Sequence, residues 1–296
     1  MSIARLPSPL VTRFAPAPTG FLHLGHVANA VYVWGLARLG SGAVRLRIED
    51  HDRQRARPEF EAAIRNDLEW LGLAPDGDLT RQSDRADRYH AAREQLGPLV
   101  YACSCSRREL AGEAEPPSGE ELRYDGRCRE RNLAWEPGLS LRVRLDDSVV
   151  RFDDILLGAQ VQRPADQCGD LLIRDRRGNW TYQFAVTVDD RDQEISLVIR
   201  GRDLLNSTGR QIALARLLGR RVPPAFLHHP LLYRPDGAKL SKSNRDTGVR
   251  ELRAAGYSAE QVIAMAARSV GLLGSEESGG WDSILRRLEA LPLQRG

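Results

Sequence analysis

The stretch "VTRFAPAPTGFLHLGHVANAVYVWGLARLG", residues 11–40, decides the fold class. "VTRFAPA" (11–17) reads as a short strand that ends in prolines. "LGHVANAVYVWGLARLG" then carries apolar residues at helical spacing, with Gly40 as a plausible stop. "AVRLRIED" (43–50) alternates, is partly β-branched and ends in two acids, so it reads as a second strand. "RPEFEAAIRNDLEWLGL" (57–73) is an amphipathic helix with Pro58 near its start. Strand, helix, strand, helix in that order calls for a parallel sheet with helical crossovers. The expected class is therefore α/β, with a Rossmann-like nucleotide-binding sheet.

Further along the pattern changes. "AGEAEPPSGEE" (111–121) is a polar Pro/Gly loop. "LSLRVRLDD", "SVVRFDDILLGAQVQR" and "GDLLIRDRRGNWTYQFAVTVDDRDQEISLVIRG" read as alternating strands with turn signals, and "DRRGNW" as a hairpin connection. The strand–helix pattern returns at "LVIRGRDLLNSTGRQIALARLLG". This divides the chain into a first catalytic half (1–100), an α+β insertion (101–190), a second half (191–244) and a short helical segment (245–296) that frays through "GSEESGG". No internal repeat is visible.

Composition narrows the classes. The 296 residues are 42% hydrophobic and 28% charged, as in ordinary globular proteins, and supply a sizeable core. No apolar run approaches a membrane span, and the N-terminus lacks a signal-peptide apolar core. A cytoplasmic protein with no membrane partner is expected, and a monomer. The net charge of +3 permits a polyanionic partner without demanding one, and a solvated arginine-rich surface explains it equally well.

"PAPTGFLHLGH" (16–26) joins the first strand to the first helix. Pro16 sets the strand exit and Gly20 allows a turn. His23 and His26 are three apart, so they share one face at a helix N-terminus. Gly25 lets a flat or bulky ligand lie against its backbone. Free N–H groups and the helix dipole there favour phosphate, and two imidazoles can donate to phosphoryl oxygens as charge develops. A capped helix with two incidental histidines would read the same way.

"AKLSKSN" (238–244) stands out for a different reason. Of 43 lysines and arginines only Lys239 and Lys242 are lysines, and both fall here. Lysine is a compact point charge on a flexible stem, whereas arginine is a wide planar fork. A lysine in a Gly- and Ser-bearing loop can follow a moving phosphate and neutralise it in the transition state. A merely solvated loop leaves the confinement of both lysines unexplained.

In this order and about 215 residues apart, "HLGH" resembles the HIGH signature and "KLSKS" the KMSKS signature of class I aminoacyl-tRNA synthetases. "TRFAPAPTGFLHLGHVANA", "RLRIEDHDRQRA", "YQFAVTVDD", "VIRGRDLLNSTGRQ" and "HHPLLYRPDGAKLSKS" resemble the glutamyl subclass over roughly residues 10–250. The "RIED" form fits glutamyl rather than glutaminyl enzymes. The resemblance implies an ATP site of Pro16, Gly20, His23, Gly25, His26, Lys239, Ser241 and Lys242, with Mg²⁺ arriving with ATP. His23, His26 and Lys242 would be its catalytic groups. It also implies an L-glutamate pocket: Arg13 for a carboxylate, Glu49 for the α-ammonium, and Ala15, Tyr182 and Arg200 to complete it.

Cys103, Cys105 and Cys128 crowd together while Cys168 stands apart, and reduced thiols clustered this way favour a metal over disulfides. Structural zinc takes four ligands, and three sulfurs leave the fourth open, with Cys168 and His90 as lesser candidates. The resemblance supplies Tyr124 through a Cys-x-Cys…Tyr-x-x-x-Cys pattern in the smaller glutamyl-type enzymes. One structural Zn²⁺ is expected.

Only 53 residues follow Ser243, where full-length glutamyl-tRNA synthetases continue into a helical anticodon-binding domain. In length and cysteine pattern the chain resembles the glutamyl-queuosine tRNA(Asp) synthetases. That resemblance implies activation of glutamate by ATP and transfer to the queuosine base of tRNA(Asp). Three rivals remain: a truncated enzyme charging the 3′ end of tRNA(Glu), a non-catalytic RNA-binding relic, and an enzyme loading a non-RNA carrier.

Overall fold

The computed structural model describes residues 6–52, 54–111, 122–232, 248–277 and 279–291. The α/β expectation holds. Strands β1 (Val11–Phe14), β2 (Ala43–Ile48) and β3 (Thr80–Arg81) form a parallel sheet in the order β1-β2-β3, with helix α1 (Leu24–Leu39) and helix α2 (Pro58–Trp70) as crossovers. Helix α3 (Ala86–Leu96) then leads into β4 (Val100–Cys103) and the short α4 (Arg107–Ala111). β5 (Ser140–Val143), β6 (Val150–Asp154), β7 (Gly158–Gln162), α5 (Pro164–Cys168) and β8 (Leu171–Arg174) follow. The remaining elements are α6 (Tyr182–Asp192), β9 (Leu197–Gly201), α7 (Thr208–Leu217), β10 (Ala225–His229), α8 (Val249–Ala254), α9 (Ala259–Ser269) and α10 (Trp281–Glu289).

Two expectations need correction. The hairpin β6–β7, assigned from sequence to the 101–190 insertion, joins the catalytic sheet instead: the order is β7-β6-β10-β9, with β6 and β9 both parallel to β10. Alternation predicts a strand with one buried face, as β6 has, but carries no information about which strand it pairs with. The antiparallel sheet β4-β5-β8 is what remains apart. Second, "YQFAVTVDDRD" is not a strand but α6, buried without interruption from Phe184 to Asp190. A helix buried on most sides loses its polar stripe, and its Val and Thr residues then mimic a strand.

β1 lies beside β9, with Ser196 N–H donating to Val11 O at 2.9 Å and Val11 N–H to Ser196 Oγ at 2.8 Å. The carboxyl ends of β1, β2, β9 and β10 therefore face one crevice, where open parallel sheets hold ligands. The C-terminal helices belong to the same core. α9 and α10 lie on α1, and Leu288 touches Gly35 so closely that a Cβ there would sit 2.2 Å from its Cδ1. Arg38 covers the Trp281 ring at 3.8 Å.

Candidate active site

A cleft of about 590 Å³ opens at that edge. Its walls bring together Arg13, Ala15, Pro16, His23, Gly25, His26, Glu49, Tyr182 and Arg200, nine residues singled out from the sequence. Gly20 lies outside the lining, in the turn before α1. Lys239, Ser241 and Lys242 lie outside the described residues.

His23 and His26 form a reciprocal cap on α1. Gly25 N–H donates to His23 Nδ1 at 3.0 Å, and His23 N–H donates to His26 Nδ1 at 3.2 Å. Both nitrogens that accept are unprotonated, so each neutral ring carries its proton on Nε2. The cap and the ligand-facing role thus coexist: the cap fixes the rings, and both rings line the cleft. Gly25 has a further reason to be glycine, because a Cβ would lie 2.9 Å from His23 Cε1 and push the capping ring away.

Buried charge shapes the far wall. Arg13 Nε donates to Asp190 Oδ1 at 3.1 Å and Arg13 Nη1 to Ile199 O at 3.1 Å. Arg47, fully buried in β2, donates to the same Asp190 oxygen at 2.7 Å and to Glu49 Oε1 at 3.1 Å. Burial by itself would raise the Asp190 carboxyl, but Arg13 and Arg47 hold it below its usual range. Burial dominates at Glu49 and raises its carboxyl, against the opposing pull of Arg47, Arg13 and His51. A cation placed beside Glu49 would restore its charge, which suits an ammonium group.

Arg200 is held on three sides. Its Nε donates to His228 Nε2 at 3.0 Å, Nη1 to Gln211 Oε1 at 2.7 Å and Nη2 to Thr208 Oγ1 at 2.8 Å. Because His228 Nε2 accepts, its proton is on Nδ1, 2.6 Å from Asp154 Oδ2. Burial lowers the His228 imidazole, keeping it neutral as this arrangement requires. Asp154 belongs to β6, so the misassigned hairpin helps to orient the pocket.

Sequence reasoning missed Arg47, Asp190, His228 and His229. Arg47 carried no such signal, because alternation in β2 puts it on the polar face with Arg45, opposite Val44, Leu46 and Ile48, and only the fold buries it. His229 lay in the motif "HHPLLYRPDGAKLSKS" but was given no role there. In the fold it lines the cleft, stacks on Tyr32 at 5.1 Å, and is pushed down to about 4 by burial, so it presents a neutral ring.

Away from the cleft, the sulfurs of Cys103, Cys105 and Cys128 lie within 4.8 Å of one another, and Cys105 and Cys128 are 3.5 Å apart. Sulfurs bound tetrahedrally at about 2.3 Å from one ion sit roughly 3.8 Å apart, so the three could hold a metal. Tyr124 Oη is 3.5 Å from Cys103 Sγ and accepts from Cys128 N–H at 2.9 Å. Burial would raise the Cys128 thiol, but hydrogen bonds led by Tyr124 pull it below its ordinary value, while burial and the Cys128 contact raise Cys105 beside it. Of the two lesser ligand candidates, Cys168 donates to Pro164 O in a different core, and His90 packs edge-on to Trp180.

The fold and the cleft define a class I aminoacyl-tRNA synthetase catalytic domain. The family described as "tRNA synthetases class I (E and Q), catalytic domain" matches residues 9–280, and the chain belongs to it. It is 39% identical over 261 residues to a Glutamate–tRNA ligase of Francisella tularensis subsp. novicida, spanning 86% of this chain and 55% of that protein. Glutamate–tRNA ligase 1 of Xanthobacter autotrophicus is 42% identical over 259 residues, 84% of this chain and 54% of that one. The chain thus spans about half the length of the curated relatives it matches. The glutamate-tRNA synthetase structure from Elizabethkingia anophelis superposes with a TM-score of 0.78 at 27% identity, covering 97% of this chain and 68% of that one. A methionyl-tRNA synthetase from Mycobacterium tuberculosis, at 16% identity and TM-score 0.51, shares the fold.

Proposed function

We propose that this protein activates L-glutamate with ATP and transfers the glutamyl group to an RNA hydroxyl. The observation that carries this is the cleft, which sets Arg13, Glu49, Tyr182 and Arg200 beside the His23–His26 end of α1. Glu49 takes the α-ammonium, and Arg13 and Arg200 take carboxylates. Burial raises the Tyr182 phenol, so it remains protonated as wall and donor.

A glutamate α-carboxylate oxygen attacks the α-phosphorus of ATP. The P–O bond to pyrophosphate breaks, and pyrophosphate leaves. Such chemistry depends on positioning and charge stabilisation. His23 and His26 donate from Nε2 to phosphoryl oxygens, Lys242 follows the departing charge, and Mg²⁺ accompanies the nucleotide. Then an RNA hydroxyl oxygen attacks the activated carbonyl carbon, loses its proton, and AMP leaves with the electrons of the anhydride bond. Lys242→Arg is expected to slow glutamate-dependent ATP–pyrophosphate exchange at least tenfold, because the fork is wider and carries its charge differently. An unaltered rate would show that a compact cation is not required.

For the acceptor, we propose a hydroxyl of the queuosine cyclopentenediol at the wobble position of tRNA(Asp), reached in the cytoplasm by a monomeric enzyme. This rests on the resemblance carried by the Cys103, Cys105, Tyr124 and Cys128 pattern. A second reading, charging of the 3′ end of tRNA(Glu), is favoured by the names of the relatives. Labelled glutamate should be offered to tRNA(Asp) with queuosine, tRNA(Asp) without it, and tRNA(Glu), each also with a blocked 3′ end. Label on queuosine-bearing tRNA(Asp) alone, surviving the block, is the expected result. Label at the 3′ end of tRNA(Glu) would select the second reading.

The metal is proposed to be one structural Zn²⁺ held by Cys103, Cys105, Cys128 and Tyr124. Purified protein is expected to carry one zinc per chain and Cys128→Ser to lose it, with a lower unfolding temperature. Metal-free protein with every thiol reactive would defeat this assignment.

A further inference from the structure

Transfer of the glutamyl group takes a proton from the RNA hydroxyl, and that proton needs an acceptor beside the activated carbonyl. The chain has six histidines, and five of them are unsuited. His23 and His26 accept backbone N–H groups at Nδ1, so both keep their proton on Nε2 and act there as donors. His228 is buried, with Nε2 taken by Arg200 and Nδ1 facing Asp154. His229 Nδ1 is 2.8 Å from the Pro230 carbonyl, which only accepts, so Nδ1 donates and Nε2 accepts from Asn29 at 3.0 Å. His90 lies outside the cleft lining, edge-on to Trp180.

His51 is placed differently. It lines the cleft two residues after Glu49, and its ring is 6.2 Å from that of Tyr182. Its Nδ1 is 2.7 Å from Oε1 of Gln82, a buried side chain in the turn after β3. Asp189, fully buried on α6, fixes which way that amide faces. Its Oδ1 accepts from Arg85 at 2.6 Å and Tyr89 at 3.1 Å, and its Oδ2 accepts from Gln82 Nε2 at 2.8 Å. The Gln82 nitrogen therefore faces Asp189 and its oxygen faces His51. A carbonyl oxygen only accepts, so His51 holds its proton on Nδ1 and carries a lone pair on Nε2. Among the described contacts His51 forms its hydrogen bond through Nδ1 alone.

The result is an imidazole whose tautomer is set by an amide, which is itself set by a buried acid. An amide orients the histidine of a cysteine–histidine–asparagine triad in the same manner. When Nε2 takes a proton the ring becomes cationic, and the Gln82 oxygen, polarised through its amide by Asp189, stabilises that charge.

We propose that His51 is the general base of the transfer step. Its Nε2 takes the proton of the attacking RNA hydroxyl as the ester C–O bond forms. The acyl C–O bond of the anhydride breaks, AMP leaves with that electron pair, and the imidazolium then gives its proton to solvent. This deepens the proposed function and rests on its transfer of glutamate to RNA.

The test is single-turnover transfer from enzyme preloaded with labelled glutamyl-adenylate, offered queuosine-bearing tRNA(Asp) and tRNA(Glu). His51→Ala is expected to slow transfer about a hundredfold, beyond any change in glutamate-dependent pyrophosphate exchange. Imidazole added at fixed pH and ionic strength is expected to recover at least about tenfold of that loss, because the vacated position opens on the cleft. Such rescue separates proton transfer from a structural contribution of the ring. An undiminished rate would overturn the proposal and leave the proton to the departing phosphate. A loss that imidazole does not relieve would also overturn it, making His51 a packing residue. Transfer kept in His51→Ala and lost in Asp203→Asn would assign the proton to Asp203, which also lines the cleft. Failure of the parent protein to label either RNA would instead defeat the proposed function, and the base with it.

Discussion

Asp190→Ala is expected to cost about 3–5 kcal/mol of stability, because it removes one partner from a buried ionic cluster and leaves guanidinium charge behind. Asp190 Oδ1 serves Arg13 and Arg47 at once, at 3.1 and 2.7 Å. Without it Arg47 retains Glu49 and Asp189, whereas Arg13 retains only the Ile199 carbonyl among the described contacts. For a chain of this size the loss corresponds to a fall of roughly 6–20 °C in unfolding temperature, measurable by calorimetry. The pH dependence follows from the depressed carboxyl. Its contribution is complete above the unfolded carboxylate range and is lost as pH falls through the lower folded value. The gap between parent and variant should therefore be full at neutral pH and narrow below about pH 4. A constant gap down to strong acid would show that Asp190 stabilises by packing rather than charge.

Glu49→Gln is expected to raise the KM for glutamate by about thirtyfold or more in pyrophosphate exchange, since a buried charge pair that loses one member forfeits about 2–5 kcal/mol. The KM for ATP should move far less. Stability should respond differently from Asp190→Ala. Burial raises the Glu49 carboxyl, so in the free protein its ionisation disfavours the fold as pH rises through that raised value. Removing the charge thus relieves a cost, although it also takes one of three carboxylates from Arg47. The unfolding temperature should change much less than in Asp190→Ala. An equal collapse in both variants would mean that Glu49 serves Arg47 and not the ammonium group. An unaltered KM would remove Glu49 from the substrate site.

These two carboxylates divide what could be read in the chain from what could not. Glu49 was legible because it ends a strand beside a recognisable loop, in a motif that resembles other sequences. Asp190 lay inside a quoted motif, "YQFAVTVDD", yet its role was invisible because its partners are 143 and 177 residues away. A separation of 74 residues hid Asp154 in the same way, since its bond to His228 depends on β6 joining β10 rather than the antiparallel sheet.

The linear order of residues determined the parallel α/β class, the helix start at His23 and the grouping of Cys103, Cys105 and Cys128. The first two depend on local periodicity and capping, which are local physics, and the third on three of the four cysteines falling within 26 residues of chain. Tertiary structure alone decided that α6 is a helix, that β6 belongs to the catalytic sheet, and that one aspartate binds two arginines. Those outcomes depend on which surfaces meet when the chain closes on itself. A buried charge finds its partner across the fold, where no local pattern records it.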